Sequence, residues 1–391
     1  MSYQPPSPGR SSRALVLGGG IMGLSFAWAL RRAGWQVTLI EQDALPNPRG
    51  ASVDDHRLIR HAYGAQRGYM RMVDDAYAAW KLLFGEIGTA PLHETGVLAL
   101  GPGGPGWLAD SRAALAAENR AFENLTPEET ARRYPMLELG GTRDILHTPA
   151  GGVLLARPIV AALAAHLGRI GVTIERARAR DVDPERARLL LEDDSERSAD
   201  LLVLAAGPWA PRLLPGLSGR VTASRQVVVY LEPPPMLRAS WDKAPMLLDI
   251  DPTGGFYAVP PVAGTPLKVG DHRFSCRGDA EDPREASAAE AEEILAFVRP
   301  KLRDAAAYRL LGARACYYDV EPGERFLVEK AGPATWIMSG FSGHGFKFGA
   351  LLGLALAAAA EDAALAAALP AWAAGEAPPP PALLGALRAA A

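Results

Sequence analysis

The sequence predicts an α/β chain in which a discontinuous Rossmann-type dinucleotide-binding domain joins an α+β domain built on a mixed, largely antiparallel sheet. Three observations carry this. A strand, a glycine turn, a helix and a second strand follow one another from Ala14 to Glu41. A second glycine-rich loop, Ser339 to Gly349, lies near the far end between an apolar run (Ala334 to Met338) and an Ala/Leu-rich run (Ala350 to Leu365). Between the two, alternating segments broken by Pro- and Gly-rich turns read as antiparallel strands. The 391 residues are 49% hydrophobic and 22% charged, with a net charge of −3. That balance suits a globular protein of two joined domains and gives no basic excess for nucleic acid.

Taken in order, Met1 to Ser12 is Pro/Ser-rich without an apolar core and reads as a floppy leader, not a signal peptide. Ala14 to Leu17 is a short buried-strand run. Gly18-Gly19-Gly20-Ile21-Met22-Gly23 then opens a helix to about Ala33, and Gln36 to Ile40 is a strand ending at Glu41. In such a unit Gly18 makes the tight turn, Gly20 lets a pyrophosphate approach the backbone, Gly23 packs helix on strand, and Glu41 reaches a ribose hydroxyl. The polar connection Gly50 to Gly64 carries Arg57 and Arg60; on a helical turn their guanidinium groups share a face, as a solvated patch or a ligand site. Tyr69 to Phe84 is an amphipathic helix, Gly96 to Leu100 a strand, and Ala109 to Glu118 and Thr126 to Tyr134 are helical, the latter with a capped start.

Gly151 to Leu155 leads through Arg157-Pro158 into a helix ending at Arg169, and Val172 to Ile174 and Leu189 to Leu191 are strands. Leu201 to Ala205 is a buried strand ending in Ala206-Gly207-Pro208-Trp209, whose small residues admit a flat or phosphorylated ligand. Val221 to Glu232 and the segments from Met246 to Val269 alternate as antiparallel strands. Glu285 to Leu302 is a helix, Tyr308 to Tyr318 a strand-like return, and the Ala/Pro-rich tail after Pro370 is loosely packed.

In the far loop, Gly340, Gly343 and Gly345 let the backbone turn and approach a ligand, and the following helix offers its positive dipole end. Lys347 adds a cation there. Only six of the 41 basic residues are lysines, so a lysine inside a motif is informative. Two cysteines, Cys276 and Cys316, make no disulfide framework and lack metal-ligand spacing with the seven histidines. The apolar stretch Ala350 to Leu369 is broken by Glu361 and Asp362, which argues against a bilayer span and for a cytoplasmic enzyme.

The chain resembles the FAD-dependent amine oxidases of the D-amino-acid oxidase superfamily, most closely the monomeric sarcosine oxidase group, over about Ala14 to Ala360. The marks are the fingerprint at Gly18 to Gly23, Arg57-Leu58-Ile59-Arg60-His61-Ala62-Tyr63-Gly64, Arg225-Gln226-Val227-Val228, Leu267-Lys268-Val269-Gly270, Cys316-Tyr317-Tyr318 and Gly340-Phe341-Ser342-Gly343-His344-Gly345-Phe346-Lys347-Phe348. The resemblance implies an FAD domain of residues 10–92, 150–220 and 319–378, a substrate domain of residues 93–149 and 221–318, and flexible termini at 1–9 and 379–391.

It also implies roles. FAD is held by Gly18, Gly20, Ile21, Met22, Gly23, Glu41, Gln42, Ser52, Arg57, Ala206, Gly207, Trp209, Gly343, His344, Gly345, Phe346 and Lys347. Cys316 matches the cysteine joined covalently to the flavin, with Arg57 placed to lower the thiol pKa. Arg60 and Lys347 clamp a substrate carboxylate, Lys268 speeds reaction with O2, and His272, Tyr257 and Tyr318 line the substrate side. The implied reaction oxidises the C–N bond of a small secondary amino acid, N-methyl or cyclic, to an imine, with O2 reduced to H2O2; the alternatives are a flavin dehydrogenase of amino acids with a non-oxygen acceptor and a biosynthetic oxidase of a larger or cyclic imino acid. It implies a monomer with an amine and O2 as its partners, and neither nucleic acid nor membrane. Departures fall near the substrate: Ala51-Ser52-Val53-Asp54-Asp55 replaces a histidine-containing turn, Leu248 and Val259 replace larger or softer side chains, and Asp271 replaces an aromatic.

Overall fold

The computed structural model describes residues 12–251, 254–381 and 383. The expectations for residues 1–9 and for the end of the tail beyond 383 lie outside them. A six-stranded sheet has the spatial order Leu327–Gly332, Thr335–Ser339, Leu201–Leu204, Arg13–Leu17, Gln36–Glu41, Thr173–Arg176. All neighbours run parallel except the first pair. Parallel strands need both faces covered, and the strand Leu201–Leu204 is accordingly buried throughout.

The helices Ile21–Arg32 and Gly349–Glu361 pack together on one face. They approach so closely because Gly349 and Gly353 face Ile21 and Ser25: a Cβ on Gly353 would overlap the backbone of Ser25 and Phe26. The sequence placed the two glycine loops at opposite ends of the chain; this contact brings the helices that follow them together.

An eight-stranded mixed sheet forms the second layer, in the order Arg309–Val320, Thr222–Glu232, Leu267–Asp271, Phe256–Val259, Met246–Asp249, Val97–Gly101, Asp144–Thr148, Glu123–Asn124. It is antiparallel except where Met246–Asp249 pairs parallel to Val97–Gly101. A third, three-stranded sheet sets His56–Arg60 and Leu92–Glu94 on either side of Gly151–Leu155.

Three expectations change. Arg57 and Arg60 stand on the strand His56–Arg60, not on a helical turn, so residues three apart point to opposite faces. The expected helix Glu285 to Leu302 is confined to Ala288–Val298, because the Ser287 hydroxyl and Glu290 carboxylate form a reciprocal cap at its start and a tight turn containing Pro300 ends it. The start of the tail after Pro370 is packed, not loose: the helix Ala363–Ala373 runs through Pro370 and buries Trp372 and Ala373. The expected cap on the helix Pro127–Arg133 is present, with Thr126 and Glu129 exchanging bonds at 3.1 and 2.9 Å.

Candidate active site

The carboxyl ends of the parallel strands open into a cleft lined by Leu17, Ile40, Glu41, Ala205 and Met338. The strand Arg13–Leu17 lies between the next strand in sequence, Gln36–Glu41, and the distant Leu201–Leu204, so the strand order reverses beside it, which is where doubly wound sheets bind dinucleotides. The glycines fit that use. Gly18 has φ +111°, and a Cβ there would overlap the Ala205 carbonyl; a Cβ on Gly23 would overlap the Gly18 carbonyl, so Gly23 serves packing and does not line the cleft. Gly20, Ile21, Met22, Gln42, Ser52, Arg57, Ala206, Gly207, Trp209, Gly343, Gly345 and Phe346 line it as expected. Ser52 Oγ accepts the Ile21 N–H at 3.0 Å, and Trp209 Nε1 donates to Glu281 at 2.7 Å. Glu41 accepts from Gly19 N at 2.6 Å, Asn47 Nδ2 at 2.9 Å and Asp43 N at 3.1 Å. It therefore holds the glycine turn in shape as well as lining the cleft.

A second cavity, of roughly 410 Å³, meets the cleft at Arg57, Tyr318, Gly343 and Phe346, which line both. One wall is the eight-stranded sheet. Cross-strand partners share a face, so Leu248 beside Tyr257, Val259 beside Lys268, and Gln226 beside Cys316 follow from the register. The opposite wall is the strand His56–Arg60 and the loop at Gly343 to Lys347, so His344 and Lys347 stand on this cavity, not on the dinucleotide cleft. Gly343, φ +76°, has no room for a Cβ because the Tyr318 ring lies against it. Exposed His272 stands at the mouth, its ring 5.9 Å from that of Tyr257.

Arg60 and Lys347 converge on Tyr63. Lys347 Nζ donates to Tyr63 Oη at 2.9 Å and to the His344 carbonyl at 2.8 Å, and the Arg60 guanidinium lies 4.3 Å from the Tyr63 ring and 5.3 Å from that of Trp107. Arg60 also donates to the Ala62 carbonyl, while its Nε is buried without a partner. Among the described residues neither cation forms an ion pair with a carboxylate. Burial, then the charge of Arg60, pushes the Lys347 ammonium well below the ordinary lysine range. Two buried cations that repel each other in a cavity form a site for an anion.

Lys268, 3% exposed, is placed differently. Nζ donates to Asp54 Oδ2 at 2.6 Å and to the His56 carbonyl at 2.8 Å. The same carboxylate accepts Arg57 Nη1 at 2.9 Å and the Tyr230 hydroxyl at 2.5 Å. Burial raises the Asp54 pKa, but Lys268 and Arg57 together outweigh it and hold the group well below the usual carboxylate range. Sequence reasoning quoted Asp54 only as a departure and missed its partners. The one available signal was an acidic doublet immediately before a strand that carries two arginines.

Cys316 is half-buried on the sheet face beside Gln226. Arg57 acts on the Cys316 thiol in the expected direction, downward, but burial outweighs it and the thiol pKa is raised on balance.

Fold and site together define a dinucleotide-dependent oxidoreductase. Residues 13–359 match the DAO family of FAD dependent oxidoreductases, and the chain belongs to it. The protein is thus a flavoenzyme whose cofactor is FAD, and the glycine-lined cleft is the place that fits it. The chain is 28% identical to the monomeric sarcosine oxidase of Bacillus sp. (strain B-0618), covering 87% of this chain and 89% of that protein. It is 26% identical to the N-methyl-L-tryptophan oxidase of Yersinia pestis (strain Pestoides F), covering 89% and 94%. Its fold matches that of a Tyr258Phe mutant of NikD, an unusual amino acid oxidase essential for nikkomycin biosynthesis, with a TM-score of 0.77, 21% identity and coverage of 90% and 94%. The L-proline dehydrogenase of P. horikoshii gives a TM-score of 0.75 at 19% identity, covering 90% and 93%. No helix of the described residues is long and apolar enough to cross a membrane.

Proposed function

We propose that this enzyme oxidises the C–N bond of a small secondary amino acid, N-methyl or cyclic, to an imine, with O2 as the final acceptor and H2O2 as product. The observation that carries the reading is the pair of buried cations Arg60 and Lys347, in no ion pair among the described residues, in a cavity continuous with the dinucleotide cleft; Glu324 on the cavity lining acts on Arg60 only through space. The substrate carboxylate supplies the missing anion: the Arg60 fork and the Lys347 point charge hold it, and the amine-bearing carbon is thereby fixed toward the junction at Tyr318 and Gly343. FAD, when bound, takes the two electrons and the hydrogen of that carbon. The aromatic wall of Tyr257 and Tyr318 excludes water and favours the neutral amine that must lose its electrons. The imine leaves and hydrolyses to amine and carbonyl. Cys316 is the residue proposed to hold the cofactor covalently, and Lys268 the cation proposed to assist O2 reduction.

The two relatives, named for oxidation of sarcosine and of N-methyl-L-tryptophan, accord with an N-alkyl amino acid. The deciding experiment is anaerobic mixing of the enzyme with N-methyl, cyclic and primary amino acids. Bleaching by a secondary amino acid well ahead of its primary counterpart is expected, and no bleaching by any of them would end the reading. Acid precipitation tests the linkage: flavin stays with the native polypeptide and is released from Cys316→Ala.

A further inference from the structure

The cation assigned to O2 reduction is already paired with a carboxylate. Of the donors on Lys268 Nζ, one is given to Asp54 at 2.6 Å and one to the His56 carbonyl at 2.8 Å. Arg57, the second cation at the junction, shares that carboxylate at 2.9 Å and also donates to the Ala51 carbonyl. The Tyr230 hydroxyl, from the neighbouring strand, fixes the other carboxylate oxygen at 2.5 Å. His56 adds no charge: it is fully buried, neither ring nitrogen has a partner, and burial followed by Lys268 pushes it down to about 3. Tyr257, Tyr318 and Cys316, which face the cluster from the sheet, are all pushed upward by burial and stay neutral. Two cations therefore share one anion in a site almost closed to water.

The consequence is electrostatic. The first electron passed to O2 makes superoxide, and an uncompensated cation lowers that barrier. A carboxylate one hydrogen bond behind an ammonium removes about half of the attraction felt by an anion in contact on the other side. We propose that Asp54 is a positioning residue that restrains reaction with O2, by pairing with Lys268 and Arg57 and withholding their charge from the nascent superoxide. The balance of the reaction is unchanged: two electrons and two protons still convert O2 to H2O2. Asp54 sets only how fast the first electron leaves. This rests on the assignment of Lys268 to the oxidative half of the proposed function.

The test uses the holoenzyme and needs no amino acid. Flavin is reduced by light and mixed with O2, and separately the oxidised enzyme is titrated with sulfite, whose adduct is stabilised by positive charge beside the ring. At mildly acidic pH, where Lys268 stays protonated although burial and Arg57 lower its pKa and Asp54 no longer raises it, Asp54→Asn is expected to speed reoxidation and to tighten sulfite binding about tenfold or more, each tenfold being about 1.4 kcal/mol. Lys268→Met is expected to slow reoxidation less than about tenfold in the native background and more than that on Asp54→Asn. Asp54→Asn within about twofold of native on both readouts, or Lys268→Met costing the same in both backgrounds, overturns the proposal. Should Asp54→Asn fail to retain flavin, Lys268→Met alone decides: a loss of about tenfold or more in the native background means its charge was never withheld. Because neither readout uses substrate, a failed amino-acid screen would remove the proposed function and leave this result standing.

Discussion

At the residue scale, two lysines, one on a strand and one in a glycine-rich loop, have opposite electrostatics. Lys268 is buried and matched by Asp54; Lys347 is buried and opposed by Arg60. A carboxylate ligand must favour protonated Lys347. Its affinity should be level at low pH and fall as pH rises through the depressed Lys347 pKa, breaking below the ordinary value of 10.5. Lys347→Met should abolish that break and weaken a nitrogen-free carboxylate competitor about 10- to 100-fold at neutral pH, read by flavin difference spectra. Arg60→Lys should weaken it by a similar factor, since a point charge cannot replace the fork. Both lysines stood out in the sequence because the chain is otherwise arginine-rich. Whether each had a partner did not, because Asp54 lies 214 residues from Lys268.

At the element scale, short motifs are legible in the sequence, and a geometry fixed by distant pairing is not. The span Gln36–Glu41 and the capped helix Pro127–Arg133 follow from patterns within a few residues, so nothing distant competes with them. His56–Arg60 reads equally well as a helical turn or a strand, and pairing with Gly151–Leu155 settles it. The choice matters, since it sends Arg57 toward Asp54 and Arg60 toward Tyr63. Helix packing yields a prediction here. Gly353→Ala drives a methyl into the backbone of Ser25 and Phe26, and should cost about 1–3 kcal/mol, seen as earlier denaturant unfolding with reduced flavin retention. An Ala substitution at Gly216, where a Cβ meets nothing, serves as the control.

At the scale of the whole molecule, Asp319 ties the two large sheets together. It is the last residue but one of the strand Arg309–Val320 and accepts Gly340 N at 2.8 Å and Ser339 Oγ at 3.1 Å, at the end of Thr335–Ser339 in the other sheet. Burial pushes its pKa up from 3.8 to about 6 despite those bonds. The folded state then binds more protons than the unfolded state between these values, so this group's contribution to stability falls as pH rises from about 4 to about 6. The change is of order 2–3 kcal/mol. Asp319→Asn should flatten the fall in urea midpoint across that window, leaving the contribution of Asp54, whose sign is opposite and which is lost only as pH drops below the ordinary carboxylate range.

The sequence by itself determined the dinucleotide unit, because its glycines, strand and acid act on one another within about thirty residues, and backbone sterics there need no distant partner. It also supplied, by resemblance, the residues that gather in the second cavity. Only the tertiary structure decided which of the gathered charges are compensated. Pairing depends on where the Asp54 turn meets the eight-stranded sheet, and in a dry interior one carboxylate a hydrogen bond away changes what a lysine does.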